Sequence, residues 1–340
     1  MGSSDNVHVR FPLPDRSYQA LVRSQLRQLA ITAGFEGHRL GEIEIIIAEI
    51  TSNIVKHTTK GGVILAKKLA GPEAGIEFIA IDDGPGMRRS AKMMEDGNST
   101  TKTLGQGLGA IRRLSAVFDM FSLMGWGTVL FSRSYIDKQK APPSSVFEIN
   151  AICVAKKDQL LCGDAWSARV QGKKTKIALI DGLGHGAPAH AASSLAVEKL
   201  DHYSRLSPVE ELQALHNELK KTRGAVVTIA HIDHGNNQLL YSGVGNISMK
   251  LLTPAIAKGC FSYNGIVGHI MPGFLNNQSF ICNEKTDVLI MHSDGIGTRW
   301  DVNKYPGILQ HHSVLLCAAL YKDADRGTDD STVLVGKMLK

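Results

Sequence analysis

The chain has 340 residues, 43% hydrophobic and 21% charged, a length that suits two domains and a composition ordinary for globular protein. Its net charge of +6 is spread over isolated pairs (Arg88-Arg89, Arg112-Arg113, Lys173-Lys174), and aromatic residues make up only 6%, which argues against a nucleic-acid-binding stripe. There is no apolar run of the ~18 residues that a membrane helix needs, no signal-peptide pattern, and no C-x-x-C spacing among Cys153, Cys162, Cys260, Cys282 and Cys317. The expectation is a cytoplasmic protein with reduced, mostly buried thiols and no membrane partner.

Ser17 to Ala33 has apolar residues at helical spacing, and Leu40 to Thr58 is a stronger helix with Ile43, Ile46, Ile47, Ile50 and Ile54 on one side. Val63–Leu69 and Ile76–Ile81 read as strands, Gln106 to Phe118 as a helix, and Met120–Leu123 and Thr128–Tyr135 as strands around Gly125-Trp126-Gly127. This order predicts an α+β sandwich with helices on one face of a mixed sheet over residues 1–136. Asp137 to Ser145, polar and with paired prolines, reads as a linker. From 146 to 340 the strands are Phe147–Ala155, Ile177–Asp181, Val226–Ile232, Leu239–Ser242, Ile247–Leu251, Asp287–His292 and Thr332–Gly336. Helices fit Pro188–Leu206, Pro208–Thr222 and Gln310–Tyr321, with His311-His312 at the start of the last. The second domain is therefore expected to be a β-sandwich flanked by helices.

Residues at i, i+4 and i+8 share a helical face, which stacks Glu49, Asn53 and His57 on the second helix. An Asn amide oxygen can complete a magnesium shell shared with phosphates, and a carboxylate one turn earlier can accept a proton from an attacking hydroxyl. Taken alone, the triplet reads equally well as a solvated polar stripe. Asp82 ends a strand just before Gly84-Pro85-Gly86. A carboxylate there can accept from an adenine amino group while the glycines let backbone approach the base. Gly105, Gly107 and Gly109 read as a flexible turn before a helix whose N–H groups hold phosphate. No Gly-Lys-Ser/Thr follows, so this is not a Walker A loop. Together the three motifs describe a pocket for ATP and Mg2+.

In the second half, Asp164, Asp181, Asp294 and the pair Asp329-Asp330 follow apolar strands at Gly-Asp, Asp-Gly or Asp-Asp turns. One Asp-Gly is a commonplace turn. Four such turns can converge on a pair of hard cations that activate water for attack on a phosphate. His231 and His234 are explained by a hairpin turn at Gly235-Asn236-Asn237, and His185 by turn chemistry.

Residues from about 15 to 135 resemble the GHKL (Bergerat) ATPase fold, specifically the RsbT/RsbW-like anti-sigma and switch serine kinases of bacterial partner-switching systems. The N box is Glu49-Ile-Thr-Ser-Asn53-Ile-Val-Lys-His57 and the glycine boxes are Asp82-Asp-Gly-Pro-Gly86 and Gly105-Gln-Gly-Leu-Gly109. Gly127-Thr128 is similar to a late Gly-Thr whose hydroxyl helps close the adenine pocket. The resemblance implies Asn53 on Mg2+, Asp82 on adenine, Glu49 as base and a short lid between Met87 and Thr103. Residues 146–338 resemble SpoIIE-type serine/threonine phosphatases of the PPM class, through Gly163-Asp164, Asp181-Gly-Leu-Gly-His-Gly186, Ser242-Gly-Val-Gly-Asn246, Ser293-Asp-Gly295 and Asp329-Asp-Ser-Thr332. It implies two Mn2+ or Mg2+ ions bridged by Asp181 with help from the Gly182 carbonyl. Asp294 and Asp330 would hold one ion, Asp164 would stand nearby, and Asp329 competes with Asp330. Asn246 departs from the more usual Gly-His.

The function these resemblances imply is a bifunctional partner-switching regulator. The first domain would phosphorylate Ser or Thr of a STAS-type antagonist protein and the second would hydrolyse such phosphoesters, with a sigma factor as a further partner and a homodimer among the assemblies allowed. The alternative keeps the phosphatase and makes the GHKL domain a non-catalytic ATP sensor that sequesters a partner. An inert phosphatase scaffold ranks below both, because all the acids are present.

Overall fold

A computed structural model describes residues 6–87, 104–137, 147–203, 205–283 and 286–338. The chain divides into two compact units. The expected linker lies, apart from Asp137, outside the described residues, as does nearly all of the expected lid.

The first unit carries a five-stranded sheet of order β1-β2-β3-β5-β4, with β1 Val9–Leu13, β2 Gly62–Leu69, β3 Gly75–Asp82, β4 Val117–Leu123 and β5 Gly127–Tyr135. Every neighbouring pair is antiparallel, so the sheet is not the mixed one expected. Helices α1 (Gln19–Thr32), α2 (Gly37–His57) and α3 (Leu104–Leu114) pack on one face. Ile43, Ile46, Ile50 and Ile54 of α2 meet Ile64, Phe78, Met120 and Leu130 of the strands, the apolar stripe that the spacing in α2 predicts. The third helix ends at Leu114 instead of Phe118, because Val117 already enters β4.

The second face of this sheet is also buried, with Leu65, Ile79, Val129 and Phe131 inaccessible. Asp301–Ala319, from the second half of the sequence, belongs to this unit. Its residues explain the assignment. His312 stacks on Phe131 at 4.6 Å between ring centroids, His311 meets Phe121 at 5.5 Å and Tyr305 meets Trp126 at 5.5 Å. Asp119 accepts from His311 Nδ1 at 2.9 Å and from the backbone N–H of His312 at 2.7 Å. His311 and His312 therefore precede the last helix, α6 (Ser313–Ala324), and do not begin it. From Val314 to Leu320 α6 is buried on every side.

The second unit is a sandwich of two five-stranded antiparallel sheets, β13-β10-β9-β8-β7 and β12-β11-β14-β15-β6. The first comprises β7 Asp164–Gln171, β8 Lys174–Gly182, β9 Ala225–Asp233, β10 Gln238–Val244 and β13 Gln278–Ile281. The second comprises β6 Phe147–Val154, β11 Ser248–Leu252, β12 Ala257–Cys260, β14 Val288–His292 and β15 Ser331–Met338. Leu179, Ala230 and Tyr241 face Ala151, Met249, Met291 and Leu334 across the interior. Helices α4 (Ala187–His202) and α5 (Pro208–Leu219) cover the outer face of the first sheet with Ala196, Leu200, Leu212 and Leu215. Ser207 starts α5 with a capping box closed by Glu210. The fold is thus α+β in both halves, a sheet covered by helices followed by a two-sheet sandwich flanked by helices.

Candidate functional site

In the first unit, the end of α2 and the edge of the sheet enclose a cavity of about 260 Å3. Asn53 and His57 project into it from α2, Asp82 and Gly84-Pro85-Gly86-Met87 from the end of β3, and Thr128 from β5. Ile50, Ile54, Ala80, Leu108, Met120 and Leu130 supply apolar walls. A concave, largely apolar site with a few placed polar groups is the form a nucleotide base requires. Desolvation, and then the nearby Lys56 charge, lower the pKa of His57, so the ring facing the cavity is neutral at physiological pH.

The loop after β3 is shaped by the protein itself. Asp82 Oδ1 accepts from the Gly84 N–H at 2.8 Å. Gly86 has φ +71°, and a Cβ there would lie 1.8 Å from the Leu123 carbonyl oxygen, so only glycine fits against the β4–β5 turn. Ser122, which the sequence reading passed over, fixes the same rim. Its Oγ accepts from Met87 N–H at 2.9 Å, bonds Thr128 Oγ1 at 3.0 Å and donates to the Gly127 carbonyl at 3.0 Å.

Gly105, Gly107 and Gly109 do not form a turn ahead of a helix; they lie in the first turns of α3. Gly107 stands against Glu49, where a Cβ would come 2.3 Å from Oε2. Glu49 is therefore packed against α3 and is not among the described residues that line the cavity.

In the second unit the four acidic turns meet at one end of the sandwich. Asp164 and Asp181 are register partners on β7 and β8. Burial first, then the charges of Asp164, Asp294, Asp329 and Asp330, push the Asp181 carboxyl up to about 9. Asp164 is raised to about 7 by burial, against the pull of the Ser293 and Thr332 hydroxyls. Ser293 Oγ donates to Asp164 Oδ2 at 2.6 Å and accepts the Thr332 N–H at 3.0 Å. Asp164 Oδ1 is buried with no hydrogen bond. Asn246 Nδ2 donates to Asp294 Oδ2 at 2.9 Å.

The final pair divides its labour. Asp330 is buried, and its two carboxylate oxygens accept the backbone N–H groups of Lys156 at 2.8 Å and Gly163 at 2.9 Å. Asp329 is half-exposed. Asp330 therefore ties down the loop carrying Gly163-Asp164. The Gly182 backbone N–H also bonds the Gly163 carbonyl at 3.1 Å.

Among the described residues no three His, Cys, Asp or Glu side chains stand close enough to hold an ion as placed. The acids gather in one region without the closed cage that the sequence suggested. Their chemistry nonetheless fits divalent cations: hard oxygen donors, burial and then mutual repulsion that raise two carboxyls, and an orphaned buried carboxylate oxygen. Cys162 next to this loop is no nucleophile. The hydrogen bond with Cys153, then burial, raise its thiol pKa well above the usual value. His231 and His234 pair instead with Glu211 at 3.3 Å and Thr175 at 2.7 Å.

Two family profiles match the chain: the histidine kinase-like ATPase domain over residues 12–129 and stage II sporulation protein E (SpoIIE) over residues 171–338. The serine/threonine-protein kinase RsbT of Bacillus subtilis (strain 168) is 35% identical over 102 residues, which are 30% of this chain and 77% of RsbT. The phosphoserine phosphatase RsbX of the same organism is 26% identical over 110 residues, 32% of this chain and 53% of RsbX, so that match spans about half the relative's length. A solved structure from the bacterial stressosome, described as a modular system adapted to control secondary messenger signaling, superposes with a TM-score of 0.53 at 26% identity, covering 57% of this chain and 100% of its own. RsbX in complex with magnesium superposes at 0.51 and 21% identity over 58% of this chain and 98% of its own, which shows a shared fold. No helix among the described residues is long and apolar enough to cross a membrane.

Proposed function

We propose, for a chain that belongs to the RsbT-like histidine kinase-like ATPases in its first half and to the SpoIIE-type PPM phosphatases in its second, that it phosphorylates a partner protein on Ser or Thr and also removes such phosphates. The observation that carries this reading is the coexistence of a cavity presenting Asn53, Asp82 and Thr128 with a second region where Asp181 is crowded by four further carboxylates.

In the first unit Asp82 reads the exocyclic amino group of adenine and Thr128 closes the same end. Asn53 offers its amide oxygen to the Mg2+ of Mg-ATP, and His57 lines the phosphate side. Glu49 accepts the proton of the attacking hydroxyl, and the α3 N–H groups face the phosphates. In the second unit Asp181, Asp294 and Asp329, with the Gly182 carbonyl, would hold two Mn2+ or Mg2+ ions, and Asp164 stands beside them. Such ions, when bound, polarise the phosphoester and acidify the attacking water. The chain's own groups set the geometry. Ser293 orients Asp164, Asn246 orients Asp294, and Asp330 clamps the loop that delivers Asp164. Asp329 is assigned the ligand role over Asp330, since both oxygens of Asp330 already serve backbone N–H groups.

The partner class that fits is the STAS-type protein of partner-switching systems, with a sigma factor downstream and a cytoplasmic setting. A second reading, in which the first unit senses ATP and sequesters its partner without phosphoryl transfer, is favoured by one observation: Glu49 packs on Gly107 and does not line the cavity. Transfer of radiolabelled phosphate from ATP to STAS proteins encoded beside this chain, followed by a chase with Mn2+, separates the two. Label that appears and then leaves supports the bifunctional enzyme. Label that never appears while Mn2+ releases phosphate from a phosphoserine protein supports the sensor.

A further inference from the structure

Asp301–Ala319 lies within the residues that match the SpoIIE phosphatases, yet it belongs to the compact unit that holds the nucleotide cavity. The chain on either side, up to Trp300 and again from Leu320, belongs to the phosphatase unit. The segment thus leaves and re-enters the phosphatase between two of its acidic turns. It departs just after Asp294-Gly295, and its return through α6 is tied to that same turn: the Ala324 carbonyl accepts from Gly297 N–H at 2.8 Å and Arg326 N–H donates to the Gly295 carbonyl at 2.9 Å. Asp329 follows directly.

On the first unit the segment is held by several specific contacts. Asp119 of β4 takes two hydrogen bonds from His311 and His312, and these bonds outweigh burial and lower its carboxyl pKa. Tyr305 packs on Trp126 in the β4–β5 turn, and Trp126 in turn packs edge-on against Phe121 at 5.9 Å. That turn is also the outer wall of the cavity rim. Gly125 N–H donates to the Pro85 carbonyl at 2.8 Å, Gly86 is pressed under Leu123, and Met87 N–H bonds Ser122. Pro85, Gly86 and Met87 line the cavity. An unbroken series of packed and hydrogen-bonded groups therefore runs from the cavity rim through the β4–β5 turn to Tyr305 and His311.

We infer that Asp301–Ala319 couples the two activities, so that nucleotide in the first unit sets the rate of the phosphatase. This rests on the reading above, that the cavity binds adenine nucleotide and the acidic turns hydrolyse phosphoesters. Nucleotide contacts at Pro85–Met87 bias the hairpin on which the segment sits. The segment passes that bias along the backbone to the turns of Asp294 and Asp329. Coupling between two sites is typically about fivefold or more.

The test uses the full chain and Mg-ADP, which occupies the cavity without donating phosphate. Calorimetry establishes ADP binding, hydrolysis of p-nitrophenyl phosphate with Mn2+ establishes the phosphatase, and hydrogen exchange without Mn2+ follows the amides of Asp301–Ala319. The expected result is slowed exchange in that segment and a change in hydrolysis of about fivefold or more on ADP binding. Both responses should be lost in Trp126→Ala while ADP binding and basal hydrolysis persist. His311→Ala, which touches neither the cavity nor the acidic turns, gives the same separation should Trp126→Ala fail to fold. ADP that binds yet alters neither exchange nor hydrolysis overturns the coupling and leaves the functional reading standing. A chain that binds no ADP, or hydrolyses no p-nitrophenyl phosphate with or without it, overturns that reading and the coupling with it.

Discussion

Ser293 Oγ donates to Asp164 Oδ2 at 2.6 Å, joining side chains 129 positions apart in the sequence. The same hydroxyl accepts the Thr332 N–H, so one small side chain registers three acidic turns against one another. It fixes one oxygen of Asp164 and leaves the other buried and without a hydrogen bond.

Ser293→Ala should therefore weaken Mn2+ binding and Mn2+-dependent hydrolysis by roughly 10–100-fold, the usual effect of losing a group that orients a metal-site residue. Unfolding should stay cooperative. A titration of Mn2+ by calorimetry, set beside a thermal melt, separates this from simple unfolding. Wild-type Mn2+ affinity would remove Ser293 from any orienting role.

Asp329 and Asp330 should part company on mutation. Asp329→Asn should abolish Mn2+-dependent hydrolysis with little change in melting temperature, because its half-exposed side chain accepts, among the described residues, only the N–H of its own neighbour Asp330, at 2.9 Å, and an amide oxygen can still accept it. Asp330→Asn should instead destabilise the second unit by about 1–3 kcal/mol, since its amide NH2 faces a buried backbone N–H that has lost its acceptor. The reverse pattern in paired melts and assays would exchange the two roles.

Glu77 on β3 is buried and bonded to Arg133 at 2.6 Å and His8 at 2.9 Å, with Lys67 at 3.5 Å. Burial alone would raise its carboxyl pKa, but Lys67, then Arg133 and the His8 bond, hold it well below the ordinary 4.5. A carboxyl depressed in the folded state stabilises the fold above its unfolded value and loses that contribution as pH falls through the folded one. Glu77→Gln should therefore cost about 3–5 kcal/mol at neutral pH, with the gap to wild type closing below about pH 4. Denaturant unfolding at pH 7 and in acid reads this directly, and a gap independent of pH would show that the charge is not what matters.

Glu49→Gln should leave ADP affinity within a few-fold and cut phosphoryl transfer by roughly 10²–10⁴. Transfer at the wild-type rate would make the contact with Gly107 a packing contact only.

Much of the cavity in the first unit was legible because its polar residues come from short motifs whose local geometry fixes them. Asn53 and His57 share a helical face, and Asp82 ends a strand before a tight glycine turn. The glycines of α3 were misread as a turn because each glycine costs a helix about 1 kcal/mol, and only the tertiary approach of Glu49 to Gly107 explains them inside one. β1 escaped notice because Pro12 interrupts its pattern. At the sheet edge, beside β2 alone, a proline is tolerated. The acidic turns were recognisable as a set, but the difference between Asp329 and Asp330 depends on backbone N–H groups at Lys156 and Gly163, far away in sequence. The placement of Asp301–Ala319 was invisible for the same reason, since nothing near His311 announces Asp119.

The most direct measurement is phosphate release from a phosphoserine protein by the full chain and by two variants, Asp181→Asn and Asn53→Ala, at saturating Mn2+. Wild type and Asn53→Ala should both release phosphate, while Asn53→Ala no longer shows ATP heat in calorimetry. Asp181→Asn should release none, yet bind ATP as wild type does and melt cooperatively, because removing one of several mutually repelling acids relieves the apo fold. Release at the wild-type rate by Asp181→Asn would contradict the metal-site assignment, and with it a chain that both adds and removes phosphate.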